Sequence, residues 1–86
     1  MRIRVLLFAG AKEAMRAGAV DVEVNASSAD NTVSVAELMD SLRQTHPPLA
    51  KVLPNSLLAV NQEYAEDDVR IKEGDEVALI PPISGG

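Results

Sequence analysis

Eighty-six residues, 47% hydrophobic and 24% charged, suit one small globular domain with a single modest core. Thirteen acidic residues against eight basic ones leave a net charge of −5, which argues against a binder of phosphate backbones, and Phe8 and Tyr64 are too few aromatics for a base-stacking surface. The absence of cysteine excludes disulfides, thiolate nucleophiles and cysteine-ligated zinc, and no apolar run approaches the roughly 20 residues of a membrane span.

The chain opens on a strand. Ile3, Val5 and Leu7 alternate with Arg2, Arg4, Leu6 and Phe8, and period two with β-branched content favours an extended chain with the first set as its core face. The apolar run is too short for a signal peptide, since charge returns at Lys12 and Glu13. Ala11–Ala17 carries good helix formers and is followed by Gly18, which predicts a short helix with a glycine cap. Val20–Asn25 alternates again and predicts a second strand, and Ala26–Asn31 reads as a polar loop.

Ser34 and Glu37 have the spacing of a capping box, and Val35, Leu38, Met39 and Leu42 then form one apolar stripe. This is the main helix. His46-Pro47-Pro48 stops it, and Leu49–Leu53 reads as a loose turn ended by Pro54. Leu57–Val60 is expected as a short buried strand, Asn61–Tyr64 as a turn, and Val69 with Ile71 as a minimal strand. Lys72–Asp75 is a turn, and Glu76–Ile80 is the last strand, ended by Pro81-Pro82. The first and last strands are the most apolar, which places them centrally. The expected class is α+β: a mixed sheet of about five strands, one main helix on one face, and a short extra helix.

Little in the interior carries chemistry. Asp67-Asp68 reads as a solvated turn, and His46 has no residue spaced to orient it. No metal-ligand spacing, phosphate loop or nucleophile elbow is present. The unusual feature is the end of the chain. Residues 1–81 read as the folded domain and residues 82–86 as an extended tail ending in Gly85-Gly86. The prolines direct the tail away from the body, and its side chains then shrink to a hydroxymethyl and to nothing. Such a tail can enter a narrow tunnel and present its terminal carboxylate. Once activated as an acyl-adenylate, that carboxylate can carry sulfur or an amine, which a chain without cysteine cannot do on a thiol. Phe8 and Ile80 on the outer sheet face, with Tyr64, are candidates for an apolar contact patch beside the tail.

Val5-Leu-Leu-Phe-Ala9, Ala59-Val-Asn-Gln62, Glu73-Gly-Asp-Glu-Val77 and above all Pro81-Pro-Ile-Ser-Gly-Gly86 resemble the sulfur-carrier subunits of molybdopterin synthase. The resemblance covers nearly the whole chain and implies a β-grasp, ubiquitin-like fold and a cytoplasmic setting. It implies that Gly86 is adenylated by a ubiquitin-activating-like adenylyltransferase and converted to a thiocarboxylate. It implies sulfur donation to cyclic pyranopterin monophosphate inside the large subunit, in a heterotetramer. Ser84 and Gly85 would thread the tunnel, and Phe8, Tyr64, Ile80, Pro82 and Ile83 would contact partners. Ile80 stands where some relatives have an aromatic. The chain itself would bind no cofactor and no metal, ATP being used by the activating enzyme, and it would have no catalytic activity alone. Three other readings share the diglycine end: a sulfur carrier for thiamine thiazole synthesis, a ubiquitin-like protein modifier, and an interaction module with an inert tail.

Overall fold

The computed structural model describes residues 1–25 and 29–81. Strand β1 spans Arg2–Leu7 with Ile3, Val5 and Leu7 buried, as the alternation requires. A short helix α1 (Ala9–Met15) leads to strand β2 (Ala19–Glu23), which returns antiparallel to β1 with Ile3 opposite Val22 and Val5 opposite Val20. Pairing continues past the strand: the N-terminal amine donates to the Val24 carbonyl at 2.7 Å, and the Val24 N–H donates to the Met1 carbonyl at 2.8 Å.

A two-residue strand β3 (Val33–Ser34) runs directly into the main helix α2 (Val35–Thr45). Ser34 is its N-cap. The Ser34 hydroxyl accepts from the Glu37 N–H at 3.1 Å, and the Glu37 carboxylate accepts from the Ser34 N–H at 2.8 Å. The box thus satisfies two backbone donors that a bare helix start leaves open. Val35, Leu38 and Leu42 are buried on the stripe side, and Met39 flanks them half-buried. His46 closes the helix, and two 3₁₀ turns, Pro47–Lys51 and Leu53–Asn55, bury Leu49 and Leu53.

Strands β4 (Leu57–Val60) and β5 (Glu63–Ala65) form a hairpin around Asn61-Gln62, and β6 (Arg70–Ile71) and β7 (Val77–Ile80) follow. The main sheet has five strands in the order β2-β1-β7-β4-β5, while β3 and β6 make a separate two-stranded ribbon. β1 and β7 lie parallel, and the other pairs of the main sheet are antiparallel. β7 is central with β1 beside it. Val5, Val22, Val77 and Leu79 on the sheet and Leu38 and Leu42 on α2 lie in one continuous core. Each such side chain contributes about 1.5–3 kcal/mol by leaving water. This mixed sheet with one long helix against it is the β-grasp, ubiquitin-like α+β fold.

Several local expectations need correction. α1 begins at Ala9, because the Phe8 carbonyl already accepts from the Ala11 and Lys12 N–H groups, and it ends at Met15. Its C-cap is Arg16, left-handed at φ 53, so Gly18 is not the cap; the Gly18 carbonyl accepts from the Leu7 N–H instead. Pro54 lies inside the second 3₁₀ turn, where its fixed φ fits, and does not end the first. Only Asn61 and Gln62 turn, both at positive φ, so Tyr64 belongs to a strand. The minimal strand near Ile71 pairs with β3, outside the main sheet. Leu57 is not buried: it is 54% exposed, because alternation in β4 sends it to the face away from α2.

Candidate functional site

The face of the main sheet turned away from α2 is built by alternation. Leu58 pairs with Leu79 and Val60 with Val77, and all four are buried toward the helix side. Their neighbours therefore point outward. One row crosses the sheet through Ala19, Leu6, Ala78, Ala59 and Tyr64, each residue in register with the next. The next row pairs Leu57 with Ile80. Phe8 continues β1 one step past the Leu7–Leu79 register in an extended conformation (φ −133, ψ 158), which sets it on the same outward side. The structure thus brings Phe8, Tyr64 and Ile80 onto one face.

Phe8 is 48% exposed and Tyr64 71%, whereas Ile80 is half-buried. Leu57, missed as a candidate, joins them. The signal that finds it is present in Leu57-Leu-Ala-Val60: if Leu58 and Val60 face the core, Leu57 must face away. Among the described residues, Phe8, Leu57 and Tyr64 are the large apolar side chains left exposed, and all three lie on this face.

The same face changes character along the strands. Away from the apolar rows it carries Arg4, held to the Asp21 carboxylate at 3.2 Å, with Arg2 and Glu23 facing each other beyond. An open cleft of about 540 Å³ lies there between the arginines and the Glu73–Glu76 turn. β1 and β7 both run from the charged end to the apolar end. The chain therefore leaves β7 at buried Pro81 beside the apolar rows. Pro82, Ile83, Ser84, Gly85 and Gly86 lie outside the described residues.

Among the described residues, no group of three or more His, Asp or Glu side chains is placed to hold a metal ion. The His46 Nδ1 lies 2.8 Å from the neighbouring Thr45 hydroxyl. Asp67 and Asp68 are exposed beside an open groove of about 480 Å³. The Asp67 carbonyl, not its side chain, accepts from the Ala36 N–H at the start of α2. No described helix is long and apolar enough to cross a membrane.

The sequence model of the ThiS family matches residues 5–86, and the chain belongs to that family. A molybdopterin synthase sulfur carrier subunit of Dictyostelium discoideum is 37% identical over 89 residues, covering 99% of this chain and 96% of that protein. The crystal structure of SAMP1 (small archaeal modifier protein 1) from Haloferax volcanii is 29% identical, with a TM-score of 0.80 and full coverage of both chains. A complex of subunits 1 and 2 of the molybdopterin-converting factor from Helicobacter pylori contains a chain of the same fold, with a TM-score of 0.67 at 22% identity and full coverage of both.

Proposed function

We propose that this chain is the sulfur-carrier subunit of a molybdopterin synthase and acts through the carboxylate of Gly86. The observation that carries the proposal is the family match running through the terminal diglycine, together with 37% identity over nearly the whole chain to a molybdopterin synthase sulfur carrier subunit. Activation by ATP makes a mixed anhydride of Gly86 with AMP and releases pyrophosphate. A donor sulfur at the sulfide level then displaces AMP and leaves a thiocarboxylate. The tail carries that sulfur into the large subunit, where it passes to cyclic pyranopterin monophosphate, and the carboxylate is regenerated by hydrolysis.

The apolar face supports the same reading. Phe8, Leu57, Tyr64 and Ile80 give a partner a contact surface beside the point where the tail departs, so docking and delivery are joined. In this reading Pro82 and Ile83 extend the contact, and Ser84 and Gly85 pass through the partner's tunnel. The large subunit and an adenylyltransferase are the two partners, each of which must engage the tail.

A second reading, as a protein modifier joined to lysines through Gly86, is favoured by the likeness to SAMP1 at 29% identity over the whole chain. The two share activation and differ in the acceptor. Appending one residue after Gly86 tests both against an inert tail: sulfur transfer and conjugation should be abolished, and an unchanged activity would refute any role for the terminal carboxylate. Pterin product without lysine adducts selects the carrier.

A further inference from the structure

Strand β5 ends early and on a small side chain. Ala65 is its last residue; it faces Leu58 in register, and both pack toward the core under α2. A methyl group therefore stands at the edge of the sheet where a larger residue would close the gap to the helix. The gap is the open groove of about 480 Å³. Val35 and Met39, one turn apart on α2, line one side, and Leu58 and Ala65 line the other. Val35 and Leu58 are buried, whereas Met39 and Ala65 are only half-buried.

Glu66, Asp67 and Asp68 form the rim of this groove, and all three are exposed. Main-chain bonds tie their loop to the start of α2: the Ala36 N–H donates to the Asp67 carbonyl at 3.2 Å, and the Val35 N–H donates to the Val69 carbonyl at 3.0 Å. Among the described residues none of the three carboxylates makes an ion pair. Negative charge is favourable beside a helix N-terminus, but that does not account for the apolar groove left open beneath it. The groove is continuous with the docking face. Leu57, 54% exposed, lines the groove and pairs with Ile80 on the face, and Tyr64 directly precedes Ala65 on β5.

We infer that this groove is the outer end of the docking face and receives a segment of the large subunit that carries an apolar side chain flanked by lysine or arginine. The apolar side chain covers Met39 and Ala65, and the cations meet carboxylates that pair with no cation in the described part of this chain. Three adjacent carboxylates also draw a basic surface toward the groove, most strongly at low salt. The main-chain ties fix the loop beforehand, which limits the entropy lost on binding. The inference rests on the docking reading given under Proposed function and states what the partner must present.

The test titrates the full-length chain calorimetrically into the molybdopterin synthase large subunit of the same organism, at low and high sodium chloride, and melts each variant thermally. One variant carries Glu66→Gln, Asp67→Asn and Asp68→Asn together. A second, Ala65→Leu, fills the groove with its own side chain, and a third is Phe8→Asp. The neutralised variant should raise Kd roughly tenfold at low salt and flatten the salt dependence, with Tm within a few degrees of the parent. Ala65→Leu should raise Kd by a similar factor while Tm holds or rises. A parent-like Kd for the neutralised variant, or a loss of affinity only in step with a fall in Tm, overturns the inference. All its substitutions are at exposed positions, so it decides even if Ala65→Leu does not fold. A folded Ala65→Leu that binds like the parent overturns the inference as well. Affinity lost for the adenylyltransferase alone overturns the choice of occupant. A parent that does not bind, or Phe8→Asp binding like the parent, overturns the docking reading and this inference with it.

Discussion

Phe8 is half exposed, at the end of a strand whose other apolar residues, Leu6 apart, are buried, and it is one of two aromatics in the chain. The exposed half of the ring gains nothing on folding and is available to be covered by a partner. Phe8→Asp should lower stability by about 1–2 kcal/mol, the share of the ring that folding buries, while weakening binding to the large subunit by about 2 kcal/mol or more, roughly thirtyfold, because an unpaired carboxylate replaces apolar area that the complex buries. Calorimetry checks it; equal affinity removes Phe8 from the interface. At this scale the sequence was informative where alternation was strict. Ile3, Val5 and Leu7 read correctly, and so did the outward placement of Phe8 and Ile80. Leu57 was misread because a four-residue apolar run hides its own alternation, and only the pairing with Ile80 shows which side is which.

Among the elements, α2 was the most legible, because its signals are local. The capping box lies within four consecutive residues, and the stripe has the period of one helix face. Its loss should be measurable. Ser34→Ala should destabilise the protein by about 1 kcal/mol in denaturant unfolding, since the hydroxyl that accepts from the Glu37 N–H is gone. A stability equal to the parent would show that water replaces the cap at no cost. The elements that escaped the sequence reading, β3 and β5, are among the shortest, and for the strand near Ile71 it was the partner that escaped. β5 is three residues long and exists through pairing with β4, while β3 and β6 are two residues each and exist through each other. Arg70 strengthens that ribbon across 38 positions of sequence, donating to the Thr32 hydroxyl at 2.9 Å and to the Thr32 carbonyl at 3.0 Å. No periodicity in five residues or fewer announces such contacts. The short helix α1 was found but displaced by two residues at each end, since its boundaries are set by the Phe8 carbonyl and the left-handed Arg16, not by Gly18.

For the whole molecule, the order of the strands is what joins fold to function. Because β7 is central and parallel to β1, the chain must leave the sheet at its apolar end, between Phe8 on one side and Leu57 on the other. The central placement of the first and last strands was legible from their apolar content; the crossing order was not, since it depends on which faces α2 covers. The candidate site divided the same way. The face is explained by the fold, whereas Ser84, Gly85 and Gly86 were singled out by sequence alone. One substitution tests that end. Gly85→Val should stop product formation by the synthase while leaving the melting temperature unchanged, because a branched side chain cannot follow a backbone-wide tunnel. Normal product formation by that variant would refute the threading argument.

The most direct measurement is the intact mass of the full-length chain after incubation with ATP, the activating adenylyltransferase and a sulfur donor. A sulfur-carrying Gly86 requires replacement of one oxygen by sulfur, mapped by fragmentation to that residue. An unchanged mass, with an adenylyltransferase shown to be active on another carrier, would contradict it.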